Sequence, residues 1–179
     1  MKRNLSLLLP ATLLLTIPTL SMAAVAPTAT LPVTATVVGS CVISTNAGGV
    51  NFGNYDPLLA TNTQAQGQVM IACVAGVSPT IGLNNGLNGG GTARDMKNGT
   101  SLLSYNLYQP TTGAPGAACS ATPTVLWGNV TPNLFTPTTF SNNPSAPSSY
   151  NICGVVTAGQ NVPASATAYS DTVTATVNF

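Results

Sequence analysis

Four cysteines, Cys41, Cys73, Cys119 and Cys153, are the side chains of this 179-residue chain with the most chemistry to offer. No C-x-x-C spacing occurs and histidine is absent, so the pattern does not suit a zinc site. No basic residue stands near any of the four in sequence to activate a thiolate, which argues against a redox-active thiol. Disulfides formed in an oxidising compartment remain. Three pairings are open. We expect Cys41–Cys73 and Cys119–Cys153, because each closes a loop of similar length within one half of the chain. Each would remove about 3–4 kcal/mol of unfolded-state freedom.

The remaining reactive groups are few. The chain has four Lys and Arg, three acidic residues (Asp56, Asp95 and Asp171), and no Glu. General acid–base work by paired carboxylates has nothing to build on, and Asp171-Thr172 stands alone where a carboxylate dyad needs two such sites. Lys2 and Arg3 sit at the N-terminus, leaving Arg94 and Lys97, too few to neutralise a run of phosphates, so nucleic acid is not an expected partner. The glycine-rich stretch from Asn84-Asn85-Gly86 to Gly89-Gly90-Gly91 lacks the Gly-Lys-Ser/Thr of a phosphate cradle and reads as a hairpin loop. Arg94, Asp95 and Lys97 read as a solvated turn, with an ion pair between Arg94 and Asp171 as the alternative. Asn98-Gly99-Thr100 and Asn129-Val130-Thr131 fit the glycosylation triplet, which matters only in a host that uses it. We expect no enzyme, no cofactor and no metal.

Residues 1–23 have the form of a secretory signal: Lys2-Arg3, an apolar stretch from Leu5 to Leu20, and Ser21-Met22-Ala23 before the cut. Only one domain and no second hydrophobic span follow, so membrane insertion is not expected once the signal is removed. From position 31 the odd residues Leu31, Val33, Ala35, Val37, Gly39, Cys41 and Ile43 alternate with Pro32, Thr34, Thr36, Val38, Ser40 and Val42. Period two held this long would extend about 40 Å as a strand, roughly twice the usual length, so its halves serve different cores or the strand bends. The C-terminal run alternates Asp171, Val173, Ala175, Val177 and Phe179 with Thr172, Thr174, Thr176 and Asn178. Shorter strands are expected at Gly67–Val74, Thr80–Leu83, Leu102–Tyr108, Val125–Trp127 and Tyr150–Val156. No capped amphipathic helix interrupts them, and six to eight such strands argue for an all-β sandwich. Residues 109–149 hold half of the 14 prolines and no charge, the composition of a loop, with Trp127 assigned to the core.

Several of these pieces, in this order, are similar to a known family. They are Phe52-Gly53-Asn54-Tyr55, Ala65-x-Gly67-Gln68-Val69-x-Ile71-x-Cys73, Arg94-x-Met96 and Leu103-x-Tyr105-x-Leu107-Tyr108. Trp127-Gly128, Ala158-Gly159-Gln160-x-Val162-Pro163 and the closing Tyr169-x-Asp171-Thr172-Val173-x-Ala175-x-Val177-x-Phe179 complete the set. Together they resemble the spore coat protein U domain family, which includes subunits of archaic chaperone–usher pili.

The resemblance implies an incomplete immunoglobulin-like sandwich that lacks one strand and is completed by the N-terminal strand of a neighbouring subunit. It implies a donor-strand segment at 24–37, with Leu31, Val33, Ala35 and Val37 as its plugs, and a sandwich domain at 38–179. Burying the three larger plugs would supply about 5–8 kcal/mol before ordering costs. Val173, Ala175, Val177 and Phe179 would border the open groove and contact a chaperone. The implied partners are a periplasmic chaperone, an outer-membrane usher and neighbouring copies of the chain in a surface fimbria that supports adhesion or biofilm. The alternatives are a spore or surface coat protein of the same family, and a secreted adhesin gripping carbohydrate through residues 109–149.

Overall fold

The computed structural model describes residues 25–90 and 93–179; the signal expected at 1–23 lies outside them. The chain divides into two units at Thr36/Val37. In the first, residues 25–36 are exposed and carry neither strand nor helix. The second holds seven strands: β1 (Cys41–Thr45), β2 (Thr63–Cys73), β3 (Thr80–Leu83), β4 (Arg94–Asn98), β5 (Ser101–Tyr108), β6 (Ser148–Val156) and β7 (Ala175–Asn178). All described strand pairings are antiparallel, in a five-stranded sheet of order β1-β2-β6-β5-β4 and a two-stranded sheet of β3 and β7.

Period two decides which side chains enter the core. Val69, Ile71 and Cys73 on β2, and Leu103, Tyr105 and Leu107 on β5, all lie inside, while Gln64, Gln66 and Gln68 point out. β2 and β6 form the longest ladder, nine positions from Thr63↔Val156 to Ile71↔Ser148. β6 is buried on both faces, because residues from the Pro-rich stretch cover its outer side. There Asn151 Nδ2 donates to Ala117 O at 2.9 Å, and Cys119 is bonded to Cys153. The other disulfide joins Cys41 to Cys73, directly opposite each other in the β1–β2 register.

Several expectations need correction. The alternation that ends at Ile43 becomes strand only at Cys41 and runs on to Thr45, because pairing with β2 starts at Cys41↔Cys73. Only Ala175–Asn178 of the alternating C-terminal run is strand, its length set by the four residues of β3. Val125–Trp127 is no strand but a single bridge, Tyr108↔Leu126. Asn84-Asn85-Gly86 turns, yet forms no hairpin: β3 and β4 belong to different sheets, and the loop crosses between them. Arg94–Lys97 is not a solvated turn. It lies in β4, with Arg94 among the most buried residues at 2% exposure.

The Pro-rich stretch contributes core rather than display. Trp127 is fully buried, its Nε1 donating to Ile81 O at 2.9 Å, and its ring packs on Phe135 at 4.6 Å. Phe135 in turn meets Tyr150 edge-on at 5.3 Å and pairs its backbone with Ile81. Residues 127–135 therefore extend the smaller sheet along the side of β3 away from β7. We expect Trp127→Ala to lower unfolding free energy by about 3–5 kcal/mol, measured by urea denaturation, with Val130→Ala, at an exposed position, within about 0.5 kcal/mol of the parent.

Candidate strand-accepting groove

Among the described residues β7 has a strand partner on one side only. Asn84 N donates to Thr174 O at 3.0 Å and Thr174 N donates to Asn84 Oδ1 at 2.9 Å, so the main chain of Thr174 faces the β3 side. Ile81 and Leu83, on the other hand, send their N–H groups away from β7, to Phe135 O and Gly128 O. In an antiparallel ladder the bonding direction alternates residue by residue. Gly82↔Thr176 and Thr80↔Asn178 are therefore the bonded pairs, and the N–H and C=O groups of Ala175 and Val177 point outward from the free edge. Their side chains meanwhile pack on the core with Val173.

Beside this edge lies an open cavity of about 930 Å³. Its floor comes from the large sheet and the end of β3, including Met96, Leu103, Leu107, Ile152 and Leu83; one wall is the run 162–173 leading into β7. The opposite wall is residues 45–57, which past Thr45 carry no strand. β7 approaches β1 without pairing to it.

Two glycines make room for that second wall. A Cβ on Gly67 would stand 2.7 Å from Val50 Cγ2, and one on Gly154 would stand 2.8 Å from Phe52 Cζ. Any larger residue on these adjacent strands would evict the wall from the sheet. Phe52 then meets Tyr105 edge-on at 6.0 Å. The far end is tied by Tyr55, whose hydroxyl donates to Thr157 O at 3.0 Å and accepts from Gln160 N at 2.8 Å.

A polar cluster holds the β7 side. Asp171 Oδ2 accepts from Tyr105 OH at 2.7 Å, and Oδ1 accepts from the N–H groups of Leu87 and Asn88. Gly86 is required in this loop: its φ is +80°, and a Cβ there would collide with the Asp171 carboxylate. Arg94 does not bond Asp171 as the alternative reading had it. Its Nε donates to Asn84 O, and its Nη2 to Leu83 O and Trp127 O, so one buried cation staples the β3–β4 crossover to the Pro-rich stretch. Burial lowers the Arg94 pKa from its ordinary value, opposed by nearby Tyr105 and Asp171. Burial pushes the Tyr105 phenol well above its usual range, and the hydrogen bond to Asp171 adds to the shift.

The residues singled out in the sequence fall in separate places. Val173 and Ala175 line the cavity, Val177 is half-buried, and Phe179 is exposed beside Gly39, near the start of the second unit. Leu31, Val33 and Val37 are 85%, 87% and 81% exposed, and Ala35 is exposed as well. The wall at Val50 and Phe52 and the cluster around Asp171 were not identified in advance; the glycines at 67, facing Val50, and 154, facing Val50 and Phe52, were the available signal.

Tyr105 titrates higher folded than unfolded, so its contribution to stability is complete below about pH 10 and is lost as pH rises beyond that. Tyr105→Phe is expected to cost about 1–2 kcal/mol at pH 8 through the lost bond to a charged acceptor. It should also flatten the fall in stability above about pH 10, as read from urea melts at pH 10 to pH 12.

Residues 27–176 match the Spore Coat Protein U domain family. The chain is similar to "Protein U" of Myxococcus xanthus, 35% identical over 171 residues that cover 85% of this chain and 84% of that protein. Among solved structures it is similar to the CsuC-CsuE chaperone–tip adhesion subunit pre-assembly complex from archaic chaperone-usher Csu pili of Acinetobacter baumannii. That likeness has 24% identity and a TM-score of 0.49, and covers 80% of this chain and 41% of the other.

Proposed function

Because this chain belongs to the Spore Coat Protein U domain family, we propose that it is an exported structural subunit of a surface pilus, polymerised by donor-strand exchange. The observation that carries the reading is the unpaired edge of β7 beside an open cavity with an apolar floor, in a chain whose segment 25–37 is wholly exposed and from Leu31 alternates with strand period. An edge strand with free amides is a template for a further strand, and proteins guard such edges with charge, proline or cover. β7 itself, Ala-Thr-Val-Asn, carries no charge and no proline.

The segment 24–37 is the donor, and Leu31, Val33, Ala35 and Val37 enter the cavity of a neighbouring copy. Before assembly a periplasmic chaperone lends a strand to the same edge, in contact with Val173, Ala175, Val177 and Phe179, and an outer-membrane usher exchanges it for the next tail. The assembled fibre stands at the cell surface, where it supports adhesion or biofilm. A second reading, favoured by the family's description, is a coat protein that polymerises by the same exchange; adjacent genes for a chaperone and an usher would favour the pilus.

Val33→Asp places an unpaired carboxylate at a buried plug. Co-expressed with the chaperone, this variant is expected to form the subunit–chaperone complex but no fibres, as seen by electron microscopy and unboiled gels. Normal fibres from Val33→Asp would reject the donor assignment.

A further inference from the structure

The tail contains two prolines within the donor segment, Pro27 and Pro32, and a proline removes the N–H that a ladder requires. Taking the donor reading as its premise, we propose that Pro32 biases the alignment of the incoming tail, by penalising the arrangements that would set its own missing N–H against Ala175 or Val177 of β7.

Ala175 and Val177 present both their main-chain groups to the groove and their side chains to the core. Residues directly opposite in an antiparallel pair point their side chains to the same face, and a bonded pair exchanges both hydrogen bonds. A tail residue bonded to Ala175 or Val177 in an antiparallel ladder therefore also points inward. Leu31, Val33, Ala35 and Val37 meet that condition: each is apolar, and each retains its N–H. Pro32 has the other parity. Its missing N–H faces residues 46–56, where the wall has no strand and so no ladder to break.

The alternatives fail on the same residue. A slip by one position would turn Thr30, Pro32, Thr34 and Thr36 inward and set Pro32 against β7. In a parallel arrangement the residues that bond the free edge are those pointing outward, so with odd plugs the even set would bond, and Pro32 again leaves an acceptor of β7 without its donor. Two independent features, the apolar side chains at odd positions and the proline at an even one, thus agree on a single antiparallel parity.

The test moves the proline within the full mature chain, leaving the acceptor groove untouched. Polymer growth is followed by light scattering and unboiled gels after release from the chaperone. Pro32→Thr combined with Thr34→Pro keeps the proline at even parity, and its rate should stay within about threefold of the parent. Pro32→Thr combined with Val33→Pro puts it at odd parity, and its rate should fall at least tenfold below that of Pro32→Thr with Val33→Ala, which accounts for the lost volume. Equal rates in the two proline-shifted chains, or the reverse order, would overturn the role given to Pro32. Failure of the parent chain itself to polymerise would instead reject the donor-strand reading.

Discussion

The architecture turns on hydrogen-bonding groups in β7 that no strand among the described residues meets. Ala175 and Val177 turn their amides and carbonyls toward a gap while their side chains lie on the core. Backbone polar groups next to an apolar cavity are costly unless paired, and water can reach them only while the groove stays open. Filling that groove with side chains excludes water, so the filling segment has to bring a backbone of its own. A strand does both at once, which no small apolar ligand can.

The rest of the domain holds this opening in shape. Gly67 and Gly154 let Val50 and Phe52 settle on the large sheet as one wall. On the other side Asp171 fixes the approach to β7 against Tyr105 and the 86–88 loop. Arg94 ties the crossover beneath it to Trp127. With so few charges in the chain, two of them are spent on geometry. The uncharged Pro-rich stretch likewise supports the core: it delivers Trp127 and Phe135 to the back of β3, so that β7 alone remains an open border of the small sheet.

Strands whose side chains alternate between core and solvent were legible in the sequence. Thr80–Leu83 falls where expected, and Leu102–Tyr108 and Tyr150–Val156 differ from β5 and β6 by a residue or two at their ends. Alternation reports a surface with two faces and not the presence of a neighbour, which is why the runs at 31–43 and 171–179 read longer than the strands they contain. β4 was not legible because Arg94, Asp95 and Lys97 look like a solvated turn; nothing local reveals that the carbonyls of Leu83, Asn84 and the distant Trp127 converge on one guanidinium. The wall at 45–57 was equally hidden, since its order comes from glycines on other strands. The parity of the groove edge became readable only once the β3–β7 register was known.

The position of the Cys41–Cys73 bond bears on how the molecule carries tension. The chain enters the sandwich at Gly39, and the first residue of β1 is covalently joined to the last residue of β2. A pull on the leading segment therefore bypasses the five-residue edge strand, which would otherwise peel away one hydrogen-bonded pair at a time. The load passes to β2, held to β6 over nine positions. The disulfide thus takes this short edge strand out of the path of the load.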